Sequence, residues 1–154
     1  MTYEAYAVNL ATSAVTHYTN FPFDNILRFG NKFYGVKSDG LFEITGDVDL
    51  AAQIAAHVKT FQTDFGSKNF KRVPYIYASC RASNGVTIGL TPDEGTTYSY
   101  ASKWGTVAQN TNHRVTPGKG IRGVYYSIDV SNVDGGSLEL DTLSVTVAPT
   151  QRGV

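Results

Sequence analysis

Cysteine is nearly absent from this 154-residue chain, where Cys80 stands alone. A lone thiol forms no disulfide within the chain, and no four-ligand zinc site can rest on cysteines. Cys80 ends an apolar stretch with no base beside it, which reads as a small buried thiol rather than a nucleophile. Such usage suits a protein made in a reducing cytoplasm. Charge excess is missing as well. Lys plus Arg is 13 and Asp plus Glu is 13, and charged residues make up only 17%. A general nucleic-acid binder carries a basic excess to displace counterions from phosphate, so neutrality speaks against one. It speaks equally against a polybasic membrane-surface protein. No apolar run approaches the roughly 20 residues of a membrane-spanning helix. The start, Met1-Thr2-Tyr3-Glu4, shows no basic region followed by an apolar stretch, so no secretory signal is expected. No period of 20–50 residues repeats, which excludes a solenoid or propeller. Without a linker or low-complexity tract, the chain reads as one domain over 1–154, with a short C-terminal arm from about 149 to 154.

What the chain does have is Tyr, Phe and Gly: 10, 8 and 15 residues respectively. Aromatic and β-branched residues favour strands, and glycine supplies the turns between them. Tyr6 to Leu10 and Ala14 to Tyr18 read as a hairpin joined by Ala11-Thr12-Ser13. Pro22, in Phe21-Pro22-Phe23-Asp24-Asn25, blocks a central ladder position. Ile26 to Phe29, Lys32 to Val36 and Leu41 to Ile44 form a meander turning at Gly30-Asn31 and Ser38-Asp39-Gly40. Thr45 to Asp49 is a loop. Asp49 to Gln62 is ambiguous: Leu50, Ile54, Val58 and Phe61 recur at helical spacing, yet Ile54, Ala56, Val58 and Thr60 alternate. Further strands are expected at Val73 to Ala78, Val86 to Leu90, Thr97 to Ala101, His113 to Thr116, Val124 to Val130, Ser137 to Leu140 and Ser144 to Val147. Ten to twelve short strands with frequent turns predict an all-β fold, a β-sandwich or a related two-sheet antiparallel fold.

Motifs that could carry chemistry each meet an obstacle. Gly118-Lys119-Gly120-Ile121-Arg122-Gly123 matches G-x-G-x-x-G, but the dinucleotide fingerprint needs a helix after the glycines, and strand material from Val124 to Ile128 follows. A loop entering a strand is the better reading. Asp47 and Asp49, with Asp39 and Glu43 nearby, offer hard oxygens for calcium or magnesium but fall short of six ligands, so a solvated turn is expected. His17, His57 and His113 are far apart and belong to no zinc motif. There is no G-x-S-x-G elbow. Asp93 and Glu94 are adjacent, whereas glycoside hydrolysis needs carboxylates that flank a bond. No catalytic residue, cofactor or metal is therefore expected. Aromatics remain. Tyr75 and Tyr77 share a strand face, as do Tyr98 and Tyr100, while Tyr125 and Tyr126 point opposite ways. Phe21, Phe23, Phe65, Phe70 and Trp104 lie in or beside loops. Core packing and protein–protein contact are their commonest uses, and stacking on sugars is the alternative.

Three blocks taken together carry a resemblance. The first lies within Asn9 to Asp49 (AVTHYTNFPFDNILRFGNKFYGVKSDGLFEITGDVD). The second is KRVPYIYASCRASNGVTIGLTPDEGTTYSY, Lys71 to Tyr100. The third is HRVTPGKGIRGVYYSIDVSNVDG, His113 to Gly135, followed by VTVAPTQR. In this order they resemble structural proteins of tailed-bacteriophage virions, especially tail and tail-tip components. Tyr126 departs from the pattern, standing where such proteins often have Trp. The resemblance implies a non-enzymatic building block whose partners are copies of itself and other virion proteins. It also implies assembly in the bacterial host cytoplasm, with no catalytic residue carried over. It makes the Lys119/Arg122 loop a feature of the fold and favours an extended strand from about Ile54 to Thr63. A β-sandwich that binds a host surface glycan through Trp104 and the loop aromatics is the alternative expectation.

Overall fold

The computed structural model describes residues 3–19, 21–46, 48–49, 52–101 and 107–150, and among these there is no helix. The fold is all-β, with every strand pair antiparallel. The chain divides into two compact units, Met1–Gly46 and Asp47–Val154. The boundary between them falls after Gly46.

The first unit holds five strands. β1 (Glu4–Val8) and β2 (Val15–Thr19) pair as the expected hairpin, with Val8 opposite Val15. Its loop is tied by Asn9, whose Oδ1 accepts from the amides of Ala11 and Thr12, as an Asx turn does. β3 (Asn25–Phe29), β4 (Lys32–Lys37) and β5 (Gly40–Glu43) form the meander. One face of the meander is covered by Phe23, whose ring sits against Gly35 and Phe42. A Cβ on Gly35 would collide with the Phe23 ring, so the close approach requires glycine.

The second unit carries the core. β6 (Val48–Asp49) and β7 (Ala52–Gln53) make a two-residue ladder. β8 (His57–Lys59), β10 (Val86–Pro92), β11 (Tyr98–Ala101) and β13 (Tyr126–Asn132) form one sheet in the order β11-β10-β13-β8. β9 (Lys71–Ala82), β12 (Val107–Val115) and β14 (Leu138–Pro149) form another in the order β12-β9-β14. Alternation sends Val86, Ile88 and Leu90 of β10 and Tyr126, Ile128 and Val130 of β13 inward. Ile76, Ala78, Cys80 and Ala82 of β9 join them in one hydrophobic cluster, which is the sandwich-like core.

Three local outcomes refine the sequence reading. The expected strands at Ser137 to Leu140 and Ser144 to Val147 are, from Leu138 on, one strand, β14. A register shift between Leu140 and Thr142 moves the inward set from Leu138 and Leu140 to Leu143, Val145 and Val147. Such a bulge breaks the period of two and makes one strand look like two. The ambiguous segment is extended. The side-chain amide of Asn132 donates to Ile54 O and its Oδ1 accepts from Ala56 N, β8 pairs with β13, and Thr63 bridges to Tyr126. Its helically spaced apolar residues bury no common stripe, since Ile54, Val58 and Phe61 are all exposed. The strand proper is shorter than expected, His57–Lys59.

The third outcome concerns turns. Gly95 N donates to Pro92 O across Asp93 and Glu94, both at positive φ (44° and 58°). Gly136 N donates to Val133 O across Asp134 and Gly135, at 46° and 62°. Both show the sign pattern of a type I′ turn, for which Asp-Gly is the favoured pair and Asp-Glu is not. Glu94→Gly should therefore raise the unfolding free energy by about 1 kcal/mol, measured by urea denaturation.

Candidate interaction surfaces

The residues singled out in the sequence fall into separate places. Cys80 is fully buried, and burial pushes its thiol pKa up. The glycine run enters β13 as a loop: Ile121 is buried, and Gly123 exchanges backbone hydrogen bonds with Lys71 (3.0 and 3.2 Å). Strand, not a helix N-terminus, follows it. Asp39 is paired with Lys37 (3.1 Å) and Glu43 with Lys32 (2.9 Å). The hydrogen bond and the charge of Glu43 raise the Lys32 pKa. Asp47, the side chain of Asp49, and Trp104 lie outside the described residues.

The three histidines stay apart. His17 stacks on Tyr6 at 4.5 Å between ring centroids, with its Nε2 3.4 Å from Glu4 Oε2. His57 is exposed on β8, and His113 is buried on β12. Among the described residues no group of three His, Cys, Asp or Glu is placed to hold a metal ion. Burial lowers the His113 pKa from its ordinary 6.5. The unfolded chain then takes up the proton first, so stability due to neutral His113 is complete above the unfolded pKa. It is lost as pH falls through the lower folded value. The melting temperature of the protein should therefore fall more between pH 7.5 and pH 5 than that of His113→Leu, compared by scanning calorimetry.

Asp93 has a role that its pairing with Glu94 did not suggest. Its Oδ1 accepts from the amides of Val124 (2.9 Å) and Tyr125 (2.7 Å), with Oδ2 3.1 Å from Val124 N. The carboxylate closes the end of the glycine loop onto the β10–β11 turn. Lys71 is buried, and its ammonium donates to Ser67 O and Val124 O, both at 2.6 Å. It helps to line a half-open hollow of about 190 Å³ with Phe65, Phe70, Val147 and Pro149. The signal for Lys71 was its phase, two residues before buried Val73; its charge concealed it.

Two surfaces stand out. On the outer face of the β12-β9-β14 sheet, Tyr75 and Tyr77 lie side by side with ring centroids 6.2 Å apart, and the Arg114 guanidinium sits 5.2 Å from the Tyr75 ring. Tyr126, by contrast, is fully buried, while Tyr125 is exposed. The second surface is the first unit itself. Eleven of the eighteen large apolar side chains left exposed among the described residues belong to Met1–Gly46, from Tyr3 to Leu41. Gly35 is its one buried residue among those described. A unit of this size scarcely supplies a core of its own.

Comparison with known protein families, with curated proteins and with solved structures finds no match to this chain.

Proposed function

We propose that the protein is a non-enzymatic structural component of a bacteriophage virion, of the tail or its tip, acting through subunit–subunit contacts in a homo-oligomeric assembly. The observation that carries this reading is the outward apolar surface of Met1–Gly46, set on a chain with no net charge. Apolar side chains that a small unit cannot bury itself are buried by neighbours, and closed assemblies supply those neighbours. The virion setting rests on the resemblance of the three sequence blocks. Mass spectrometry of purified particles of the phage that encodes the chain tests it. The expected result is several copies per particle in fixed ratio to the other tail proteins. Absence from the particles would end the reading.

A second reading is favoured by one observation, the Tyr75–Tyr77–Arg114 face. Aromatic rings stack on sugar rings, and the flanking Ser79, Asn112 and Ser144 could hydrogen-bond hydroxyls. A glycan array decides it. Binding to a host surface polysaccharide that is lost in Tyr75→Ala supports a glycan-binding module, and no binding removes it.

A further inference from the structure

Cross-strand register places Asn25, Leu27 and Phe29 of β3, Lys32, Tyr34 and Val36 of β4, and Leu41 and Glu43 of β5 on one face of the meander. The opposite face has Phe23 seated on it; this face has no ring contact among the described residues. Leu27 is 41% exposed, Leu41 59% and Phe29 76%. We infer that this face is the contact between two copies of the chain, each meander packing on its counterpart across a two-fold axis. The inference rests on the subunit-contact reading and names its surface and its occupant.

Area and charge favour a second copy. At roughly 150–250 Å² for a large aromatic and less for Leu and Val, the exposed parts of the five apolar side chains offer on the order of 400 Å². With the polar rim added, two such faces bury about 1,000 Å², the lower end of specific interfaces. That size suits a contact repeated within a larger assembly. The rim is self-complementary, since Lys32 and Glu43 lie together at one end of the face, 2.9 Å apart. A half-turn can set the cation of one copy against the anion of the other. The unit as a whole carries Arg28, Lys32 and Lys37 against Glu4, Asp24, Asp39 and Glu43, too little net charge to hold copies apart.

The test uses the full chain. Sedimentation at rising concentration should show self-association, weakened at least tenfold in the double variant Leu27→Asp/Leu41→Asp and unchanged in Ser99→Asp, an exposed position of β11 opposite Gly89. Because the double variant can fail to fold, Leu27→Cys supplies a second arm. A short bismaleimide should join Leu27→Cys chains into covalent dimers, while Ser99→Cys chains stay single; Cys80 is buried and present in both. A chain that stays monomeric at every concentration overturns the inference, even if the protein is found in virions. So does association that survives the double variant with no link at position 27. Absence from virions overturns the functional reading instead, so the two failures are distinguishable.

Discussion

Tyr126→Ala is expected to destabilise the protein by about 3–5 kcal/mol, the usual range for emptying a fully buried aromatic site. Tyr126 leads the fully buried side chains in volume. Its ring lies 6.4 Å from that of Phe65, and its hydroxyl donates to Lys71 O at 2.6 Å. Its backbone pairs with Thr63. One residue thus joins the start of β9, the start of β13 and the extended segment before them. Burial, with the charge of Asp93 as a smaller contribution, raises its pKa, so the hydroxyl stays a proton donor at neutral pH. Tyr126→Phe separates the two contributions. It keeps the ring and loses the hydrogen bond, and should cost only about 1–2 kcal/mol, because Gly123 N still donates to Lys71 O. Urea denaturation of the two variants checks both values. Equal losses would show that the hydroxyl, not the ring, dominates.

Asp93→Ala is the second large effect, with an expected loss of about 2–3 kcal/mol. Two backbone amides lose a charged acceptor, each such bond being worth roughly 1.5–3 kcal/mol when neither is replaced by water. Alanine also tolerates the positive φ of this position less well than aspartate. The residue is solvent-exposed, so water recovers part of the loss, which keeps the expected value below the sum of these effects. Asp93→Asn retains an acceptor oxygen and the tolerance for positive φ, and should lose less than half as much. If the two variants unfold at the same urea concentration, the carboxylate does not hold the glycine loop.

These two residues also show where the sequence was legible. The hairpin at Val8 and Val15, the meander from Asn25 to Glu43 and the alternating run of β10 follow from turn chemistry and a period of two, which are local. Tyr126 could be assigned to a strand, but its role as the anchor of Lys71 depends on a partner 55 positions away. Asp93 read as half of a carboxylate pair, because the turn that aims it at Val124 and Tyr125 has an unfavoured Asp-Glu composition. Lys71 was hidden by its charge, since only the tertiary arrangement supplies the two carbonyls that accept from its ammonium. The apolar face of the meander lies in plain view as Leu27, Phe29, Val36 and Leu41. A half-buried strand and a strand awaiting a partner have the same alternation, so periodicity alone did not reveal that this face stays open.

The proposal that this chain works by being held among neighbouring subunits is tested most directly by cross-linking mass spectrometry on intact phage particles. The expected result is that the chain is present and that Lys32 and Lys37, in the unit Met1–Gly46, link to other virion proteins or join two copies of the same peptide, a link that cannot form within one chain. The chain missing from the particles, or those lysines linked only within their own chain, would contradict it.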